Sequence, residues 1–262
     1  MDPEPDQIAP HHITGDQVVR LRVDNGIATI TLDSQPNRNA LSRRLVAELG
    51  ERLDTIEATE GVRVIVLTNE GPAFCAGADL KERSAGPPDS SPMVRVLERL
   101  MDAAQPTVAA VGGAVRAGGI GLMASCDLVV VHRSVTFALT EVRIGVAPAI
   151  ISVPILRRVA PSRIAAAMLT GEPFDADEAR SIGLITHVTD DVAATTAALC
   201  AGIAAGAPRA VAETKRLLHG VPDLDRATAF DRMQALSDEL FSGPDAAEGM
   251  AAFREKRAPR WT

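Results

Sequence analysis

Small residues crowd two segments of the chain, FCAGADL at 74–80 and AGGIGLMASCD at 117–127, and a single acid, Glu141, sits in the otherwise apolar FALTEV. Small side chains leave the peptide backbone approachable. Ala76-Gly77-Ala78 follows an apolar, strand-like run and its exit loop. Ala117-Gly118-Gly119 follows the next such run and opens a helix, which aims free N–H groups and a positive dipole end into the same space. Two peptide N–H groups converging from neighbouring turns polarise a carbonyl oxygen and stabilise the anion formed when the adjacent carbon loses a proton. Either glycine turn taken alone reads more readily as a close-packed chain reversal. Glu141 among apolar groups reads as a carboxyl of raised pKa, suited to acid/base work at neutral pH, with a polar group at a strand end as the plainer alternative.

The elements that must position these residues are legible in outline. VVRLRVDNGIATITLD at 18–33 alternates about Asp24-Asn25-Gly26 and predicts a hairpin. Ser42 is placed to cap a helix carrying Leu45, Leu49, Leu53 and Ile56 at helical spacing. VRVIVLT, PTVAAV and DLVVVH are continuous apolar runs suited to parallel strands covered on both faces, with helices predicted between them at Met93–Ala104 and after the second glycine turn. The repeating order reads as β-α-β, an α/β fold with active groups on the strand-to-helix turns. SAGPPDSSP at 84–92 is expected to be a mobile gate. From Pro161 onward the pattern is mainly helical.

With 262 residues, one large domain is expected: a tail at 1–16, a core at 17–200 and a helical region at 201–262. A net charge of −7 and the lack of basic runs interleaved with aromatics disfavour nucleic acid as a partner. The three cysteines form no CxxC pair, which argues against a disulfide framework or structural zinc. The acidic, proline-bearing start does not read as a signal peptide, and the longest apolar run, Ile144–Leu156, holds two prolines and is too short to span a membrane. A cytoplasmic location is expected.

VLTNEGPAFCAGADLKE, AAVGGAVRAGGIGLMASCDLVV and FALTEVRIGVAPA together resemble the crotonase (enoyl-CoA hydratase/isomerase) superfamily, joined in order by PNRNALS at 36–42, GEPFDADEARSIGLITHV at 171–188 and FREKRAPRW at 253–261. The run after Glu141 is closest to the methylglutaconyl-CoA hydratase branch. The resemblance implies a β-β-α spiral core with a C-terminal helical trimerisation region, homotrimers or pairs of trimers, and an α,β-unsaturated acyl-CoA thioester as substrate, with no cofactor beyond the coenzyme A that the substrate carries. It places the oxyanion-hole donors at the N–H groups of Ala78 and Gly118 and the acid/base at Glu141. It assigns Ala40, Ala76, Asp79, Leu80 and Lys81 to the coenzyme A path, and Arg38 and Lys256 to its phosphates, ordinary solvated cations being the alternative for Arg38, Lys81 and Lys256. No metal is implied.

One position departs from the pattern: Gly121 stands where hydratases of this resemblance carry a second glutamate. Hydration by an enzyme with Glu141 alone is the first reading. A Δ3,Δ2-enoyl-CoA isomerase and a weakly active acyl-CoA-binding homologue are the alternatives. Arg143 is a candidate partner for a substrate carboxylate or, equally, a member of a helix-end or interface ion pair. Glu82 is a substitute base only if its loop folds inward.

Overall fold

The computed structural model describes residues 17–83 and 89–261. The N-terminal tail and residues 84–88 of the expected gate lie outside the described residues.

Strands β1 (Val19–Asp24) and β2 (Ile27–Leu32) form the predicted hairpin, with Asn25 at φ 49° and Gly26 at φ 75°, the paired left-handed conformations that a two-residue turn between twisted strands requires. Helix α1 (Arg43–Glu57) starts where Ser42 Oγ accepts a 3.1 Å bond from Leu45 N, and it buries Leu45, Leu49, Leu53 and Ile56. The chain then runs through β3 (Val64–Asn69), β4 (Ala73–Cys75), α2 (Leu80–Arg83), α3 (Ser91–Asp102), β5 (Thr107–Val111), β6 (Ala114–Arg116), α4 (Gly118–Ala124), β7 (Leu128–His132) and β8 (Thr136–Ala138). A 3-10 turn over Glu141–Ile144 follows, then α5 (Ala149–Leu156), α6 (Pro161–Thr170), β9 (Phe174–Asp175), α7 (Ala176–Ser181) and β10 (His187–Thr189). Helices α8 (Val192–Ala204), α9 (Pro208–Gly220), α10 (Arg226–Phe241) and α11 (Pro244–Glu255) complete the chain.

The repeat is therefore β-β-α, as the resemblance implies, rather than the β-α-β order suggested by the apolar runs. Each long apolar strand joins one sheet, in the order β1-β2-β3-β5-β7-β10, and is followed by a short strand of a second sheet, in the order β4-β6-β8-β9. From β2 onward the first sheet is parallel. Its strands are buried on both faces: Ile65, Leu67, Ala109, Val111, Val129 and Val131 pack into the main core with α1, α3 and α4, while Val64, Val66, Val108, Ala110 and Val130 pack under Leu199, Cys200 and Ile203 of α8. Helix α8 runs across residue 200, so the sheet and the C-terminal helices share a continuous element. Helix α9 is tied to the sheet as well. Its buried Lys215 Nζ lies 3.0 Å from Asp127 Oδ2 and donates to the carbonyls of Leu100 and Gln105. Among the described residues no helix is long and apolar enough to cross a membrane.

Candidate active site

Strands β4, β6 and β8 are parallel neighbours in the second sheet, with Cys75 level with Val115 and Val115 level with Phe137. Their C-terminal ends lead directly into Ala76–Ala78, Ala117–Gly118 and Leu139–Glu141. The two glycine turns thus follow the short strands, not the long apolar runs from which sequence reasoning placed them. Adjacent parallel strands deliver their exit turns side by side, which is why Gly77 meets Ala117 and Ala117 meets Ala138, about 40 and 20 positions apart in the chain.

The close approach of the turns depends on glycine at 77 and 119, while glycine at 118 leaves room for the Leu41 side chain. Gly77 has φ 89°, and a Cβ there would lie 2.9 Å from Ala117 Cβ. A Cβ on Gly119 would lie 2.7 Å from Cys75 Cβ, and one on Gly118 would lie 2.7 Å from Leu41 Cδ1 and 4.0 Å from Ala78 N. The backbone of Ala117 takes φ 47° and ψ −119°, a conformation an L-residue rarely adopts, held by the bonds from Ala117 N to Ala138 O at 2.9 Å and from Ile120 N to Ala117 O at 2.8 Å. Its ψ sets the orientation of the peptide that carries Gly118 N–H. Neither Ala78 N nor Gly118 N finds a backbone acceptor among the described residues, although Gly77 N, next door, points at Cys75 Sγ at 3.4 Å. Ala78 and Gly118 are half-buried, so their two neighbouring N–H groups are available to donate to the oxygen of a bound ligand. Cys75 itself is buried and its thiol is pushed up to about 12 by desolvation, so it is no nucleophile here.

Glu141 begins the 3-10 turn after β8. Its Oε2 is buried without a hydrogen-bond partner. Burial raises its pKa, outweighing a bond from its own backbone N–H that lowers it. No carboxylate stands at position 121. Gly121 is buried in α4, and α5 lies directly over it: a Cβ at 121 would come within 2.5 Å of Ile151 Cβ and 3.2 Å of Ile151 Cα.

The segments assigned to coenzyme A are also brought together. Ala76 N donates to Arg38 O at 3.1 Å and Leu41 N to Gly77 O at 2.7 Å, so residues 38–41 run beside 76–78. Ala40 is buried, whereas Leu80 and Lys81 are exposed. Arg38 is exposed with φ 57°, and its guanidinium has no ion-pair partner among the described residues. Asp79 is a positioning group: Oδ1 accepts from Lys81 N and Glu82 N at 3.0 and 3.4 Å, and Oδ2 accepts from Asn37 Nδ2 at 3.3 Å. Lys256 is exposed in the left-handed conformation that ends α11, and no hydrogen bond or ion pair joins it to this cluster.

Two candidates are committed elsewhere. Glu82 Oε2 accepts from Arg43 N at 2.7 Å and so caps α1 instead of reaching the turns. Arg143 donates to Thr170 O at 2.9 Å and pairs with Glu172, so of its two readings the ion pair is the one formed. Sequence reasoning passed over Asn39. Its buried side chain accepts from Ser34 N at 2.6 Å and donates to Glu70 O and Ala73 O at 3.1 and 2.8 Å, fixing residues 38–41 to the start of β4. The available signal was an amide in a turn directly ahead of a helix cap.

Residues 22–262 match the family model described as enoyl-CoA hydratase/isomerase. A relative from Thermus thermophilus that bears an enoyl-CoA hydratase name is 36% identical over 92% of this chain and 100% of its own. The mitochondrial methylglutaconyl-CoA hydratase of Mus musculus is 30% identical over 91% of this chain and 80% of its own. The crystal structure of an enoyl-CoA hydratase from Mycobacterium smegmatis superposes with a TM-score of 0.88 at 32% identity, covering 94% of this chain and 99% of that one. The chain, with its β-β-α repeat and its paired backbone donors, belongs to the enoyl-CoA hydratase/isomerase family of the crotonase superfamily.

Proposed function

We propose that this protein hydrates an α,β-unsaturated acyl-CoA thioester with Glu141 as its sole side-chain acid/base. The observation that carries the reading is the pair of acceptor-free N–H groups, Ala78 and Gly118, on the first two of three successive turns, the third of which bears a carboxylate with a buried, unpartnered oxygen. The thioester oxygen binds between the two N–H groups and holds the negative charge of the enolate. A water oxygen bonds to the β-carbon and gives a proton to the Glu141 carboxylate; Glu141 then returns that proton to the α-carbon. One water is added, and the carboxylate is regenerated. Its raised pKa brings proton donor and acceptor closer in strength, which favours both transfers.

A branched substrate is supported by the likeness to a methylglutaconyl-CoA hydratase. Recognition of a substrate carboxylate by Arg143 is not, since Glu172 already holds that guanidinium. Arg38 is the cation best placed to meet coenzyme A phosphates, because its own carbonyl is bonded to Ala76 in the first turn; Lys256 is assigned the same role from a neighbouring subunit. A homotrimer is supported by the exposure of Phe230, Phe241 and Phe253 on α10 and α11, at 71%, 71% and 86%, and sedimentation tests it. The filling of the space over Gly121 by Ile151 favours a second reading, Δ3,Δ2-enoyl-CoA isomerisation, in which Glu141 takes a proton from the α-carbon of a 3-enoyl thioester and, after reorienting, delivers it to the γ-carbon as the double bond moves to the α,β position. Incubating the protein with a panel of enoyl-CoA thioesters in heavy-oxygen water, followed by mass analysis, separates these outcomes. Oxygen incorporation supports hydration, a mass-neutral shift of the double bond supports isomerisation, and binding without either product refutes both.

A further inference from the structure

We infer that Ile151 is the residue that commits this site to one carboxylate, because it occupies, across Gly121, the volume that any side chain at 121 would need. The inference rests on the proposed reaction and concerns how that same site divides its substrate between hydration and double-bond migration.

Gly121 lies three residues after Gly118 in α4, so both positions share a helix face one turn apart, about 4.5 Å along the axis. A side chain on Gly121 would project from the face whose N-terminal residue offers its N–H to the thioester. That direction is closed. Position 121 is buried, Ile151 is 6% exposed, and an added Cβ would meet both the Cβ and the Cα of Ile151. The 2.5 Å approach to Ile151 Cβ matters most, because rotating the isoleucine side chain leaves that atom in place. Helix α5 is also anchored beyond its other end. Arg158, just past the helix, donates from Nη1 to the carbonyls of Ala124 and Cys126 and from Nη2 to Asp127 O, gripping the C-terminal end of α4 and the turn that follows. The gap over Gly121 is thus filled by a second helix, and the wall over that turn of α4 is apolar.

Gly121 and Ile151 consequently behave as a coupled pair. Gly121→Glu alone should lower Tm and depress both reactions, since α5 must be displaced from α4. Gly121→Glu with Ile151→Gly should recover most of the lost Tm and raise the ratio of hydration to migration about 10²-fold over the parent, the low end of what a positioned acid/base contributes. Its pH–rate profile should gain a further acidic limb, because two carboxylates facing one site do not ionise together. If the glutamate variants fold poorly, Gly121→Ala with and without Ile151→Gly tests the same coupling by melting temperature. A single Gly121→Glu variant as stable and as active as the parent overturns the inference, as does a double variant of restored stability with an unchanged product ratio and pH profile. The melting cycle needs no turnover. A parent inert toward every thioester therefore refutes the proposed reaction, while additive melting temperatures refute the coupling.

Discussion

Gly77→Ala tests whether the spacing of two backbone turns sets the rate. A methyl at Gly77 would lie 2.9 Å from Ala117 Cβ and 3.3 Å from Arg116 O, where ordinary van der Waals separation begins at 3.4 Å. Neither neighbour is the free end of a flexible side chain, so the turns must part by 3.4 − 2.9 = 0.5 Å. An oxyanion bond of about 2.9 Å to one donor is then stretched toward about 3.4 Å, beyond the usual N–H···O range. Losing a donor outright costs about 10²- to 10³-fold in kcat, so partial loss predicts a fall of about 10- to 100-fold. The left-handed alanine adds a backbone cost of about 1–2 kcal/mol, seen as a drop of a few degrees in Tm. Ala117→Gly removes the obstructing methyl and also frees residue 117 from its strained φ of 47°. The Gly77→Ala/Ala117→Gly variant should therefore regain most of the rate while the alanine introduced at position 77 keeps its own strain. Steady-state consumption of an enoyl-CoA thioester and thermal melting by circular dichroism provide the two readouts. Parental kcat in a folded Gly77→Ala protein, or a double variant no faster than the single, would refute this account of the hole.

Glu141→Gln should lose about 10²- to 10⁴-fold in kcat while still binding thioester, because the hole is made of main chain; parental turnover would remove Glu141 from the mechanism. The same variant has a stability signature. Burial raises the Glu141 pKa, so the stability this group contributes below its unfolded pKa is lost as pH rises through the folded value, and Glu141→Gln should melt above the parent at neutral pH but not in acid. Arg38→Ala and Lys256→Ala should raise KM more than they lower kcat, and less so for substrates lacking the 3′-phosphate; unchanged KM in both would return them to the solvated surface. Asn39→Ala leaves the Ser34 N–H without its acceptor and the Glu70 and Ala73 carbonyls without their donor, predicting a loss of about 3 kcal/mol by denaturant unfolding, which a value under about 1 kcal/mol would contradict.

Local signals in the sequence carried far. The Asn25-Gly26 turn and the Ser42 cap follow from interactions between residues near one another in the chain, the doubly buried strands β3, β5 and β7 announce themselves as continuous apolar runs, and each is present as read. The family resemblance carried by the order of the motifs nominates Ala78, Gly118 and Glu141 as the candidate site. The short strands β4, β6 and β8 were not legible, because three residues are too few to display a period, and with them went the second sheet that aligns the three turns. The fates of Arg143, Glu82 and Gly121 were beyond sequence reasoning for another reason. Each is decided by a partner 29 to 39 residues away: Glu172 for Arg143, the start of α1 for Glu82, and Ile151 for Gly121. Composition and spacing establish that a small residue or a charge is present. Whether a glycine leaves open space or is filled by a neighbouring helix, and whether a guanidinium faces a ligand or an ion-pair partner, is settled only when the helices pack, because packing assigns the same volume to one side chain and denies it to another.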